Sequence, residues 1–88
     1  MKYRIEFTKT FEKSLKKLTH LEQKMLANKL KLLIENPFYP SLRTKKVQGM
    51  DNLFEFSVNM DIRVLWRYKG NDIIITLDIG HHSLVDKT

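Results

Sequence analysis

The chain has 88 residues, 42% of them hydrophobic and 10% aromatic, enough for one domain with a modest core and too few for two. No apolar run approaches the roughly 20 residues of a membrane helix, and the opening Met1-Lys2-Tyr3-Arg4-Ile5-Glu6 has no apolar stretch of signal type. Zero cysteines exclude a disulfide framework and a thiolate metal site, so a cytoplasmic location with no membrane partner is the expectation.

Tyr3, Ile5 and Phe7 alternate with Lys2, Arg4 and Glu6, which predicts a short first strand. Thr8 or Thr10 then offers a hydroxyl cap. Phe11, Leu15 and Leu18 form one helical stripe, with Lys9, Lys13, Lys16 and Lys17 mostly on the other side, so the first helix is expected over about Lys9 to Leu18. Thr19-His20-Leu21-Glu22 is a capping box that opens a second helix, leaving His20 in the link. That helix carries a broad band (Leu21, Met25, Leu32 and Leu26, Leu30, Leu33) and ends at Asn36-Pro37. Two helices with almost no linker make a hairpin.

Pro37 to Ser41 is a connector, and Leu42 to Met50 is short and strongly basic, closed by Gly49 where a turn wants positive φ. Val47 is placed in a further strand or edge segment. From Leu53 onward three runs alternate at period two. Phe54, Phe56 and Val58 share a side of the first; Ile62, Val64, Trp66 and Tyr68 of the second; Ile73, Ile75, Leu77 and Ile79 of the third. Asn59-Met60-Asp61 reads as a hairpin loop, and Gly70-Asn71 as a two-residue type II′ turn. The class is therefore α+β: an N-terminal strand, a helical hairpin, then an antiparallel meander of four or five strands in all, with helices on one sheet face and the other face open.

That open face is expected to carry Glu55 and Ser57, then Arg63, Leu65 and Arg67, then Ile74, Thr76 and Asp78. The formal charge of +6 draws the domain toward polyanions or acidic proteins, although small domains also carry spare lysines for solubility. Arg63 and Arg67 can grip phosphate through planar forks of donors, or pair with Glu55 and Asp78 across strands. Glu55 can act as a general base or as a salt-bridge partner. His81 and His82 offer imidazoles near neutrality for a general acid, or lie inert at the surface. No third ligand at a metal spacing accompanies them, and no cofactor is expected. Arg43, Lys45 and Lys46 can hold an RNA backbone by counterion release, or be a solvated loop. Trp66 and Tyr68 fall on the oily side, as core.

In combination these stretches resemble the RelE/ParE superfamily of type II toxin–antitoxin toxins. The matching text is Lys46-Val47-Gln48-Gly49-Met50, Leu53-Phe54-Glu55-Phe56, Ile62-Arg63-Val64-Leu65-Trp66-Arg67-Tyr68 and Ile79-Gly80-His81-His82. For RelE-like members the resemblance implies a ribosome-dependent, metal-independent mRNA endonuclease whose nucleophile is the RNA's own 2′-hydroxyl, giving a cyclic phosphate. By that match Arg63 is the phosphate arginine, His82 the functional histidine and Glu55 the base. The implied partners are a cognate antitoxin protein, mRNA on the ribosome, and operator DNA reached through the antitoxin. Many members have an aromatic shortly after this glycine; Leu84 to Thr88 supplies none. Two further readings belong to other classes: a ParE-like inhibitor of DNA gyrase without nuclease chemistry, and an inactive toxin-fold corepressor bound to its antitoxin.

Overall fold

The computed structural model describes residues 2–81. In chain order it contains β1 (Arg4–Phe7), α1 (Lys9–Leu15), α2 (His20–Glu35), a 3₁₀ turn at Pro40–Leu42, β2 (Lys45–Lys46), β3 (Phe54–Ser57), β4 (Ile62–Lys69) and β5 (Ile73–His81). One five-stranded mixed sheet runs in the order β1-β5-β4-β3-β2. The last four strands form the expected antiparallel meander, while β1 pairs with β5 in parallel. The α+β class holds, and the location of the first strand, which the sequence did not indicate, is settled.

Local chemistry sets the helix boundaries. Thr8 caps α1 by accepting from the Phe11 amide, and Thr19 and Glu22 close the capping box at the start of α2. His20 is thereby the first residue of α2, not a link residue. The first helix ends at Leu15, earlier than the stripe suggested, because Lys17 and Leu18 bond back three residues in tightening turns. Gln23 then donates from its side-chain amide to the Leu15 and Leu18 carbonyls, serving orphan acceptors at that helix end. Asn36 stops α2, and its side chain accepts from the Phe38 amide.

The core lies between the helical layer and one face of the sheet. Phe11, Leu26 and Leu33 from the helices meet Phe56, Val58, Ile62, Val64, Trp66, Ile74 and Ile79 from the strands. Leu42, expected only in a basic loop, is fully buried among them. Trp66 stacks on Phe54 with ring centroids 4.7 Å apart and meets Tyr68 edge-on at 5.1 Å. Trp66 is fully buried and Tyr68 is partly buried against the core, both on the side their parity predicted.

The third run departs from expectation. A β-bulge between the pairs Leu65↔Asp78 and Trp66↔Thr76 leaves Leu77 without a partner on β4. Before the bulge the parity is reversed. Ile74 opposite Tyr68 and Thr76 opposite Trp66 face the helices and are completely buried, while Ile73 and Ile75 lie on the other side with Lys69 and Arg67. Ile79, beyond the bulge, returns to the core opposite Val64. The Gly70 turn also differs. Pairing of Lys69 with Ile73 leaves a three-residue loop, in which Gly70 takes the expected positive φ of 69°. Gly49, at φ 80°, fulfils its turn role as read.

Two predictions follow from this packing. Ile74→Ala should cost about 2–4 kcal/mol in denaturant unfolding, and Ile73→Ala less than ~1 kcal/mol; the opposite ranking would restore the unbulged register. Tyr68, beside Tyr3 in the aromatic cluster, has its phenol raised above the ordinary tyrosine value, first by burial and then by the Tyr3 phenol. The folded state therefore holds this proton more tightly than the unfolded chain. Its contribution is fully present below pH ~10 and is lost as pH rises through the folded value. Chemical denaturation should show stability declining above pH ~10, with a shallower decline in Tyr68→Phe.

Candidate functional site

The face without helices is not an open plain. Glu55 and Ser57 on β3 are buried, 4% and 9% exposed, although both point away from the core. Glu55 lies beside two longer side chains. Lys45 Nζ approaches its carboxylate to 3.7 Å from β2, and Arg63 Nε to 3.9 Å from β4. Both separations exceed ordinary hydrogen-bond range, so the trio is an ionic cluster with net positive charge rather than a bonded pair.

Arg63 is placed by register and by a tether. It stands opposite Ser57 on one neighbour and Gly80 on the other. Its Nη1 donates to the Asn59 carbonyl at 2.8 Å and the Ile62 carbonyl at 3.3 Å. Asn59 is itself fixed by an Asx turn, its side-chain oxygen accepting the Asp61 and Ile62 amides at 2.8 Å each. One asparagine thus shapes the hairpin with its side chain and holds the guanidinium with its main chain. Arg63 keeps 19% of its side chain exposed, so part of its donor fork meets solvent.

The other expected residues disperse. Lys45 joins the cluster, but Lys46 alternates to the opposite face, pairs with Phe54 and reaches only toward Asp51 at 4.0 Å. Arg67 shares the Arg63 face, yet it lies four residues along the strand, roughly 13 Å away at about 3.3 Å per residue, and its Nη1 donates to the Tyr68 carbonyl. His81 lies opposite Ile62, not Arg63, and its Nδ1 contacts the Asp61 carboxylate. Asp78 accepts from Ser14 Oγ at 2.6 Å and from the Ile79 amide at 2.8 Å. The Ile74 and Thr76 expected on this face belong to the core side. His82 lies outside the described residues. Gly80, two positions before it, stands across from Arg63.

Arg43 takes a left-handed backbone, φ 52°, at the end of the 3₁₀ turn, and with Lys29 of α2 it lines a cavity of about 170 Å³ beside Ser57 and Asn59. Sequence reasoning missed the roles of Lys29 and Asn59. The spacing Asn59-Met60-Asp61 ahead of a strand did signal an Asx turn; nothing distinguished Lys29 from the other lysines of the helices. Among the described residues, no group of three or more His, Cys, Asp or Glu side chains could hold a metal ion, and no helix is long and apolar enough to cross a membrane.

A family model described as the ParE toxin of the type II toxin–antitoxin system parDE matches residues 5–84. The chain belongs to this toxin family. Solved structures agree on the fold. The RelE chain of an archaeal RelE–RelB complex from Pyrococcus horikoshii OT3 is 20% identical over 92% of this chain and 96% of its own, with a TM-score of 0.77. A mutant of Escherichia coli RelE in the free state is 18% identical over 98% and 90%, with a TM-score of 0.76. A YoeB/ParE toxin from Agrobacterium tumefaciens is 11% identical over 90% and 98%, at 0.78. No curated protein matches at significant sequence similarity. The toxin therefore has the RelE-like architecture expected of it, with identities low enough that only the fold carries over.

The ionic cluster makes a stability prediction. Glu55→Ala would leave Arg63 and Lys45 facing each other across a buried gap without their counter-charge. Unfolding should become easier by about 1–3 kcal/mol, and Glu55→Gln, which keeps the volume, should cost less. Equal stability of Glu55→Ala and the parent would mean the carboxylate contributes nothing to holding the arginine.

Proposed function

We propose that this toxin is a ribosome-dependent mRNA endoribonuclease that inhibits translation. The observation that carries the reading is the placement of Arg63: on the helix-free face, across from Gly80, beside Glu55 and Lys45, with its guanidinium tethered to the hairpin. A pre-positioned arginine with donors left over suits a phosphodiester that gains charge in the transition state. The RNA 2′-oxygen attacks the adjacent phosphorus, the bond to the 5′-oxygen breaks, and a 2′,3′-cyclic phosphate and a 5′-hydroxyl result. Arg63 opposes the charge on the phosphorane oxygens. An incoming phosphate competes with Glu55 for Arg63 and Lys45, which frees the carboxylate to accept the 2′-hydroxyl proton. His82, two residues beyond Gly80, supplies the proton to the leaving oxygen.

The partner that restrains the toxin is a cognate antitoxin, which also brings it to operator DNA. Among solved structures of this fold, RelE with RelB and YafQ with DinJ are toxin–antitoxin complexes. A cytoplasmic location accords with translation as the target.

A second reading is favoured by two observations. The matching family model is that of ParE toxins, and the Glu55 carboxylate is 5% exposed in an ionic cluster rather than displayed as a base. In that reading the toxin binds DNA gyrase and cuts no RNA.

Mapping of mRNA ends in a purified translation system separates the two. The parent should cut ribosome-bound mRNA to fragments ending in cyclic phosphate. Arg63→Ala should slow cutting roughly 100- to 1,000-fold, and His82→Ala about 100-fold or more. Gyrase supercoiling should be untouched. Intact message together with blocked supercoiling would replace the nuclease with the gyrase inhibitor.

A further inference from the structure

A second concentration of positive charge lies at the β3–β4 hairpin. The cavity between the middle of α2, the segment after the 3₁₀ turn and the β3–β4 hairpin is lined by Lys29 and Arg43. Ser57 and Asn59 supply neutral polar groups, and among the described residues no carboxylate lines it. Two cations from separate elements converge on about 170 Å³ with nothing of opposite sign to answer them. The Arg63 cluster, in contrast, sets two cations against one carboxylate.

Both cations are positioned. Lys29 Nζ donates to the Ser41 carbonyl at 3.3 Å, which draws the ammonium toward the cavity wall and leaves it further protons to donate. Arg43 occupies a left-handed backbone at φ 52° that glycine would adopt without strain. A non-glycine residue in this conformation carries a backbone cost, and a role of its side chain at the cavity would account for it. The cavity also adjoins the arginine already described. Asn59 lines it while its carbonyl holds the Arg63 guanidinium, and Ser57 lines it while pairing with Arg63 across the strands.

We propose that this cavity is a second phosphate site, which takes the backbone phosphate neighbouring the one held at Arg63 and so sets the position of single-stranded RNA on the toxin. The inference rests on the nuclease reading for the identity of its ligand. Phosphate chemistry suits it: a compact anion with several acceptors, met by an ammonium, a guanidinium and a hydroxyl. A base would need an aromatic surface to stack on; among the described residues the apolar members of the lining are Val58 and Met60, neither of them aromatic.

The test is binding of a short, uncleavable 2′-O-methyl RNA to the full chain, followed by fluorescence anisotropy over a range of salt. Lys29→Gln and Arg43→Gln should each weaken binding about 3- to 10-fold and reduce the slope of log affinity against log salt by about 0.7. Lys31→Gln, an exposed lysine of the same helix away from the cavity, should change neither. Arg43→Gly should lose RNA affinity like Arg43→Gln while its denaturation midpoint equals or exceeds the parent's, a split that a purely structural arginine would not give. Parental affinity in both cavity variants, a loss in Lys31→Gln as large as theirs, or no detectable binding by the parent at low salt would overturn the proposal. Binding of inorganic phosphate by the parent as tight as its binding of the RNA, at matched ionic strength, would overturn the RNA assignment in favour of a small phosphorylated ligand. Message cutting is scored in parallel. A parent that cuts mRNA while both cavity residues prove dispensable for binding refutes this site alone; cavity variants that lose RNA affinity while the parent cuts nothing retain the site and refute the nuclease reading.

Discussion

The pairing of β1 with β5 is the constraint on which the rest of the architecture depends. It puts the first strand at one edge of the sheet, whereas β2, the next strand in sequence, lies at the other edge. The helical hairpin and the connector after it carry the chain between those edges, so the hairpin crosses a sheet face and buries its apolar band there. The same pairing ends at Phe7↔Thr76, just where β5 bulges and α1 begins. Thr8 links these events: it caps α1 and donates its hydroxyl to the Thr76 and Leu77 carbonyls at 2.9 and 3.1 Å. Ser14, one and a half turns on, binds Asp78 just past the bulge. The far half of β5 is thus fixed from the helix side, and with it the position of Gly80 opposite Arg63.

The bulge has an electrostatic consequence. Without it, Ile74 and Thr76 would flank the arginines and Ile75 would lie in the core. With it, Ile75 stands beside Arg67, and Thr76 goes under the helices, where its hydroxyl bonds the Glu6 carbonyl at 3.2 Å. Ile75 gives the guanidinium face a dry patch, in which charges are screened less than at an open surface. Two of the described ion pairs on this face centre on Glu55, because a carboxylate this deep requires cations close by.

Much of this was legible in the sequence where a pattern admitted a single reading. The capping box at Thr19, the stop at Asn36-Pro37 and the alternation of Ile62 to Tyr68 each left one solution, and the structure adopts it. The stretch Ile73-Ile74-Ile75-Thr76-Leu77 did not. It is apolar at both parities, so burial of odd or even positions scores alike, and the choice fell to a tertiary contact sixty-eight residues away in sequence at Thr8. The same limit applied to the site. That Arg63 and Glu55 share a face follows from period two. That a main-chain carbonyl holds the arginine, that Lys45 and not Lys46 completes the cluster, and that Lys29 meets Arg43 depend on where the connector from 36 to 44 runs, which no periodicity encodes.

The tether on Arg63 bears on how such a site can work. A free arginine loses side-chain freedom when it grips an anion, a cost of about 0.5–1.5 kcal/mol for an immobilised side chain. Here the Asn59 carbonyl has already imposed most of that loss during folding, as the Asx turn organises the hairpin. In the proposed reaction the guanidinium would meet the phosphate in place, with Glu55 as a temporary counter-ion that the phosphate supplants. A carboxylate that both stores the arginine's geometry and is released when an anion arrives would couple binding to availability of a base. That coupling needs both cations of the cluster: with Lys45 absent, Glu55 would hold Arg63 more closely and resist exchange, and with Arg63 absent the carboxylate would have no reason to leave its solvent-exposed lysine.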